Sequence, residues 1–258
     1  MKHHTEEFDE LVVVFQEPIS RRWFPVGLLS FEQGLYHFRY TRGAVDAKEA
    51  GTFIPFGVMT DLEATYRSEK LFPLFQNRVM PRSRPEYKSY TRWLLGETDA
   101  PEQLSPMQEL GRSGGARATD NIQLYPIPKN VDGNYRMSFF AHGVRHLPES
   151  AQKAIDAQRL RTRLQLKPDP NNDHDSDALT LWTEHPSMLV GYCPRFLCLD
   201  FFTILHQDPQ AEVVLAQVNA DAPLQFRYRC ELTARWPENF KPFDTAAFQF
   251  VSGEVVST

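Results

Sequence analysis

Two kinds of hydrophobic pattern alternate along this chain. From Leu11 to Tyr40, LVVVFQEP and WFPVGLLSF are runs of β-branched and apolar residues, and LYHFRY alternates apolar with polar positions. These periods predict strands, with Gly34 marking the hairpin before LYHFRY. The period then changes. Tyr87, Tyr90, Trp93 and Leu94 recur at helical spacing after Pro85, which suits a first-turn position, and Gly96 suits the helix end. SPMQELGRSGG predicts a second short helix, with Ser105 as its cap, Pro106 just inside and Gly111 beyond the last turn. ATDNIQLYPIPK returns to strand and stops at two prolines, and Lys129 to Asn134 reads as a hinge.

In the second half YRMSFFAHGV predicts a strand and LPESAQKAIDAQRL a helix with Pro148 near its start. RTRLQLKPD, ALTLWTE and MLVGYCPR predict strands, the last two forming a hairpin. FLCLDFFTILHQ is apolar on nearly every side and predicts a buried helix, although its β-branched and aromatic content also suits a strand. AEVVLAQVNA and LQFRYRCELTARW predict two strands joined at Asp221 to Pro223. The sum is an α+β chain of two small domains, residues 1–130 and 131–258. The second is a strongly bent, partly open barrel-like sheet with one or two helices, an architecture used for single strands of nucleic acid.

A chain of 258 residues has room for two cores, and 41% apolar with 24% charged residues is the ordinary globular mix, which argues against a disordered or fibrous class. No apolar stretch of roughly 18 residues is present, and MKHHTEEFDE lacks the apolar centre of a secretory signal, so a cytoplasmic protein without a membrane span is expected. A net charge of −5 argues against a protein that coats duplex DNA, since that requires many phosphate-neutralising cations. Any DNA contact must be local. Basic clusters stand at Arg67 to Arg84 and at Gln158 to Lys167, and the NRVMPR and RSRPEY basics of the first read either as a solvated helix entrance or as a nucleic-acid stripe. Cys193, Cys198 and Cys230 form no close CxxC pair and are expected as buried thiols.

The loop DPNNDHDSDA places Asp173, Asp175, Asp177 and Glu184 at calcium-loop offsets. Ala178 stands where such a loop needs glycine and the flanks are strands, so no calcium site is expected. Asp169, Asn171 and Asn172 instead suit turns in which the side chain bonds its own backbone. His142 and His146, four apart, bracket a strand end and a glycine turn with no acidic third ligand nearby, so neither a metal nor a cofactor is expected. In GRSGGAR, Gly114 and Gly115 would bare NH groups beside Arg112 and Arg117, but a helix cap is the simpler use. No P-loop, kinase-like loop or convergent acid–base–nucleophile set is found, so no enzyme is expected.

The run from Phe140 to Phe196 holds Gly143 and Arg145, then Asp169, Asn172, Asp175 and Ala178, then Gly191, Tyr192, Pro194 and Arg195. In this order the residues resemble the HIRAN domain, a small DNA-binding module found beside helicase and nuclease machinery. In the helicase-like transcription factor members, a pocket holds a 3′-terminal nucleotide between aromatic side chains, with an Asp on the hydroxyl and basic residues on phosphate. The resemblance implies that Asp175 is the hydroxyl-binding acid and that Arg145 and Arg195 stand at basic or backbone-contacting positions. His146 and His174 fall where the family has stacking tyrosines, and Tyr192 takes its histidine position. His142, just before the glycine turn, completes the candidate set. An acid in a DNA pocket selects an end, because a terminal hydroxyl donates to it and an internal phosphate does not. Imidazole also stacks on a base, over a smaller area than tyrosine.

Residues from about 10 to 128 are similar to the N-terminal subdomain of HipA-type proteins, through Phe72, Phe75, Asn77, Pro81, Gly96, Gly114, Gly115 and Pro126. The kinase body of those proteins has no counterpart in this sequence, so the resemblance implies the accessory part alone, docking on a kinase toxin or standing near a helix-turn-helix partner. Together the two resemblances imply a non-enzymatic DNA-binding protein in a bacterial defence, phage-defence or toxin–antitoxin setting. The alternative is an antitoxin-like interaction module for a HipA-type kinase or other toxin.

Overall fold

The strand periods near the start of the chain pair as hairpins. The structure, a computed structural model, describes residues 8–96, 104–172, 175 and 177–251. β1 (Glu10–Gln16), β2 (Trp23–Glu32) and β3 (Leu35–Tyr40) run antiparallel in succession. Two elements that the pattern does not announce come next, α1 (Arg42–Glu49) and β4 (Thr65–Ser68). Only Gly43, Ala44 and Ala47 of α1 are buried, and β4 is a polar edge strand, so neither carries a periodic apolar signal. After α2 (Pro73–Gln76) and α3 (Tyr87–Leu95), α4 (Pro106–Ser113) leads into β5 (Ile122–Pro126). The first sheet has the order β4-β3-β2-β1-β5. Leu11, Val26, Phe38, Phe75 and Leu110 fill its core together with Tyr40. The Tyr40 hydroxyl donates to the Met59 carbonyl and accepts the Phe56 N–H, each at 2.7 Å, so its polar atom is satisfied inside the apolar cluster.

Helix α4 begins as expected, with Ser105 and Gln108 forming a reciprocal capping box and Pro106 in the first turn. Its end differs. Gly111 lies inside the helix rather than beyond it, and Gly114, at φ +72°, is the left-handed cap. Packing explains the glycine at 111: a Cβ there would stand 2.6 Å from the Phe8 ring and 3.0 Å from Leu11, so α4 lies tight against the start of β1. The Gly114 carbonyl accepts the Leu124 N–H at 2.8 Å, which makes the glycine pair a helix end feeding a strand.

Contacts divide the chain into two units: Met1–Tyr87, Pro101–Ile127 and Asp244–Thr258 form one, and Lys88–Ala100 with Pro128–Phe243 the other. The second contains β6 (Asn134–Phe140), α5 (Glu149–Asp156), β7 (Thr162–Pro168), β8 (Leu179–Thr183), β9 (Leu189–Tyr192), α6 (Arg195–Gln207), β10 (Glu212–Val218) and β11 (Tyr228–Arg235). These strands form a curled, half-barrel sheet of order β6-β11-β10-β7-β8-β9. Register shifts between Leu215 and Gln217 and between Leu181 and Trp182 help the sheet to bend. FLCLDFFTILHQ is helical, burying Leu197, Phe201 and Ile204, with the Phe201 ring 5.3 Å from Phe139. The strand expected to start at Leu224 starts at Tyr228. Leu224–Phe226 is instead a 3-10 turn behind Pro223, because Phe226 packs its ring against Phe140 and Tyr90 at 5.4 and 5.8 Å rather than joining the ladder. Arg227 makes a two-point pair with Asp156, at 3.1 and 2.6 Å, and the Tyr228 hydroxyl lies 3.0 Å from the same carboxylate, tying α5 to β11.

From Lys88 onward α3 belongs to this second unit. Its last-turn carbonyls find side-chain donors on the sheet: Gln217 donates to Arg92 O at 3.2 Å, Asn219 to Trp93 O at 3.1 Å and Arg229 to Leu95 O at 3.5 Å. Arg92 also pairs with Asp221, and the Trp93 indole N–H donates to that carboxylate at 3.3 Å. The Trp93 and Leu95 carbonyls of the helix end are thereby capped, and the Arg92 carbonyl, which also accepts the Gly96 N–H, gains a second donor, from residues more than a hundred positions downstream.

Candidate nucleic-acid interface

β6 and β9 are the two edges of the six-stranded sheet, and they meet just past the end of β6. There the His142 N–H donates to the Tyr192 carbonyl at 2.8 Å and the Tyr192 N–H donates back to His142 O at 2.9 Å. This bridge closes the half-barrel at one end. Close approach requires glycine on both sides. A Cβ on Gly191, at φ +151°, would lie 2.5 Å from the His142 oxygen, and one on Gly143, at φ +74°, would lie 3.0 Å from the Tyr192 ring. Gly143 turns the chain into a short 3-10 turn, Val144–His146, that presents Arg145 and His146 to solvent. The two interact with each other, Arg145 Nε donating to His146 Nε2 at 3.0 Å.

Tyr192 faces the loop that joins β7 to β8. Its hydroxyl donates to Asp169 Oδ2 at 3.3 Å, and burial, together with the Asp169 charge, raises the phenol's pKa, so the ring stays a neutral donor. Asn172 braces the same carboxylate through its side-chain amide at 3.1 Å, while its backbone N–H closes the turn onto Asp169 O. A turn is present, but it differs from the expected one: it closes backbone to backbone, and the Asp169 and Asn172 side chains bond each other rather than their own backbone. A second use of Asp169, as the partner that orients Tyr192, was not legible, because it depends on a residue 23 positions away.

Asp175 lies beyond that turn. Its Oδ1 accepts the Asp177 N–H at 3.1 Å and pairs with Arg195 at 3.4 Å, with the carboxylate side chain only 12% exposed. Arg195 opens helix α6, where a cation opposes the positive end of the helix dipole, and the Asp175 charge offsets this by about 0.3–1 kcal/mol. His142 is exposed overall, yet desolvation by the surrounding protein pulls its imidazole pKa below the usual value, so it is neutral at pH 7. It offers a face or a neutral nitrogen rather than a charge. His174 and Asp173 lie outside the described residues.

Residues 134–234 match the HIRAN domain family. The match takes in the barrel closure, the loop and Arg195. It does not reach residues 10–128, and the HipA-type resemblance expected there finds no support in these comparisons. Among solved structures, a protein from Lactobacillus plantarum is similar over 40% of this chain and 100% of its own, at 14% identity and a TM-score of 0.31. The HIRAN domain of human HLTF is similar over 40% of this chain and 74% of its own, at 20% identity and a TM-score of 0.29. A comparison with curated proteins finds no match.

Within the HIRAN region the structure thus joins His142 to Tyr192 and Asp175 to Arg195, and pairs Arg145 with His146. Among the described residues, no group of three or more His, Cys, Asp or Glu is placed to hold a metal ion. Cys193, Cys198 and Cys230 are buried and unbridged. Burial raises the Cys198 and Cys230 thiols to about 12 and Cys193 well above its usual value, so none is a thiolate ligand or nucleophile at neutral pH. No helix of the described residues is long and apolar enough to cross a membrane.

Proposed function

We propose that the HIRAN region binds DNA without catalysing a reaction and recognises a single-stranded 3′ end at the closure of the half-barrel. The observation that carries this reading is the Asp175–Arg195 pair, with Arg195 just after the Tyr192 edge-to-edge bridge in the chain, in a region matching this DNA-binding family. A carboxylate is costly near a polyanion unless it meets a donor, and a terminal 3′-hydroxyl is one. Arg195, held by Asp175, places a guanidinium charge for the last phosphate. Tyr192, fixed by Asp169, supplies an oriented ring for the terminal base, with His142, His146 and His174 as smaller stacking faces.

Titration of matched oligonucleotides ending in a 3′-hydroxyl or a 3′-phosphate tests the reading by fluorescence anisotropy. The free end is expected to bind roughly tenfold more tightly, the worth of one charge-assisted hydrogen bond. Asp175→Ala and Asp175→Asn are both expected to erase that preference. Equal affinity of the native protein for free and blocked ends would sink end recognition.

For the setting we infer a cytoplasmic protein of bacterial defence or toxin–antitoxin regulation. Support comes from the family association of the HIRAN region and the similarity of residues 10 to 128 to the accessory part of HipA-type proteins. On this reading the first unit docks on a kinase-type toxin, and co-purification with the product of a neighbouring gene is the check.

A further inference from the structure

The strand register places more than the end pocket on one face of the curled sheet. Thr180 of β8 stands opposite both Lys167 of β7 and Tyr192 of β9, so these three side chains share a face, as directly paired residues do. Two residues along each strand, the same face carries Trp182 opposite Gln165, and then Arg163 on β7. The contacts agree. The Trp182 indole N–H donates to Thr180 Oγ1 at 3.0 Å, Thr180 itself is bonded to Lys167 O at 2.8 Å, and the Lys167 ammonium lies 5.0 Å from the centre of the Trp182 ring. The opposite face of the same strands holds the buried Leu164 and Leu181.

This row begins at Tyr192, in the proposed end pocket, and runs outward through an indole and two cations. Lys167 and Arg163 are exposed and Trp182 is half-buried, with its plane set by the bond to Thr180 before any ligand arrives. Further across the sheet, beyond the buried Val214 that pairs with Arg163 on one side and Glu231 on the other, Glu231 is held between Arg136 at 2.7 Å and Arg161 at 3.7 Å. Glu184, which accepts from the Gln165 amide at 3.4 Å, is a second acid here, so Arg136, Arg161, Arg163 and Lys167 outnumber the two and this part of the sheet is locally cationic in a chain whose net charge is −5. Alternating rings and cations at strand spacing fit a single-stranded backbone with splayed bases.

We propose that the outer face of β7 and β8 is a track for single-stranded DNA leading away from the 3′-end pocket, with Trp182 stacking a base and Lys167 and Arg163 meeting phosphates. The proposal rests on the end-recognition reading for its starting point. The cation–π contact of Lys167 with Trp182 is worth only about 0.5–1 kcal/mol at an exposed site, so the lysine's flexible stem exchanges the ring for a phosphate when a base arrives. The row predicts an affinity that grows with strand length beyond the terminal nucleotides.

The test uses the full chain and two homopolymeric DNA strands with free 3′-hydroxyls, one of about 3 and one of about 12 nucleotides, comparable with the site sizes of similar sheets. The native protein is expected to bind the longer strand at least roughly tenfold more tightly, since one stacked base is worth about 1–3 kcal/mol. Trp182→Ala is expected to remove most of that gain without changing affinity for the short strand, Trp182→Phe to restore much of it, and Lys167→Ala to flatten the salt dependence of the long strand only. Should the short strand fail to bind while the long one binds through Trp182, the end reading falls and the track stands. Unchanged long-strand affinity in Trp182→Ala, or no binding of either strand by the native protein, overturns the track.

Discussion

Replacing Gly191 by alanine is expected to destabilise the second unit by roughly 2–4 kcal/mol and to abolish strand binding together with it. The added methyl would sit 2.5 Å from the His142 carbonyl oxygen, a backbone atom that has no rotamer to escape into. The φ of +151° adds strain of its own for any residue with a Cβ. Relief requires β9 and the chain after β6 to move apart, which breaks the two hydrogen bonds of 2.8 and 2.9 Å that join the sheet edges. Tyr192 is carried by the same peptide units, so the proposed pocket is lost as well. Urea denaturation gives the stability change, and oligonucleotide titration below the denaturation range gives the binding change. A Gly191→Ala protein with native stability would show that the edges are not held in contact at this point.

Asp200→Asn is expected to stabilise the protein by an amount that grows as pH rises from about 4 to 7. Asp200 points from the apolar helix α6 into the core, 6% exposed, where its two oxygens lie 3.2 and 3.3 Å from the Phe243 N–H. Beside it is the buried Tyr135 hydroxyl, which has no hydrogen-bond partner among the described residues. Burial raises the carboxyl from 3.8 to about 7, against the opposing pull of the Phe243 N–H. Between those two values the folded state holds a proton that the unfolded state has released, so stability falls as pH rises from about 4 to 7 and stays reduced above. At about 1.4 kcal/mol per unit the full loss is on the order of 4 kcal/mol. Asparagine mimics the protonated side chain and keeps an acceptor for Phe243. The variant should therefore melt well above the native protein at pH 8 and close to it at pH 4. A difference in melting temperature that is the same at both values would show that Asp200 does not titrate in this range.

Much of the second unit is readable from residue order because its signals are local. Alternation announces β7 and β8, a dense apolar run announces α6, and Pro194 with Arg195 marks where that helix opens. α1 and β4 escape because their buried positions are small or few, and Gly111 misleads because a glycine serving close packing looks the same as one serving a cap. At the proposed site, motif order picks out Asp175, Tyr192 and Arg195, but not what holds them. The bond from Tyr192 to Asp169, the meeting of His142 with β9 and the row from Tyr192 to Trp182 all depend on strand register. Asp200 is hidden for a related reason: a single polar residue in FLCLDFFTILHQ does not reveal that it faces the interior.

The docking of α3 separates the unit of inheritance from the unit of folding. A fragment cut at residues 134 and 234 would satisfy the family pattern, yet it would leave behind the helix whose carbonyls receive Gln217, Asn219 and Arg229 and whose Tyr90 covers Phe226. Three polar side chains and an aromatic knob would then face water on an otherwise finished sheet. In this chain the wall of the matched region includes a piece of upstream sequence, so a fragment of residues 134–234 is expected to be less stable than one that keeps that helix.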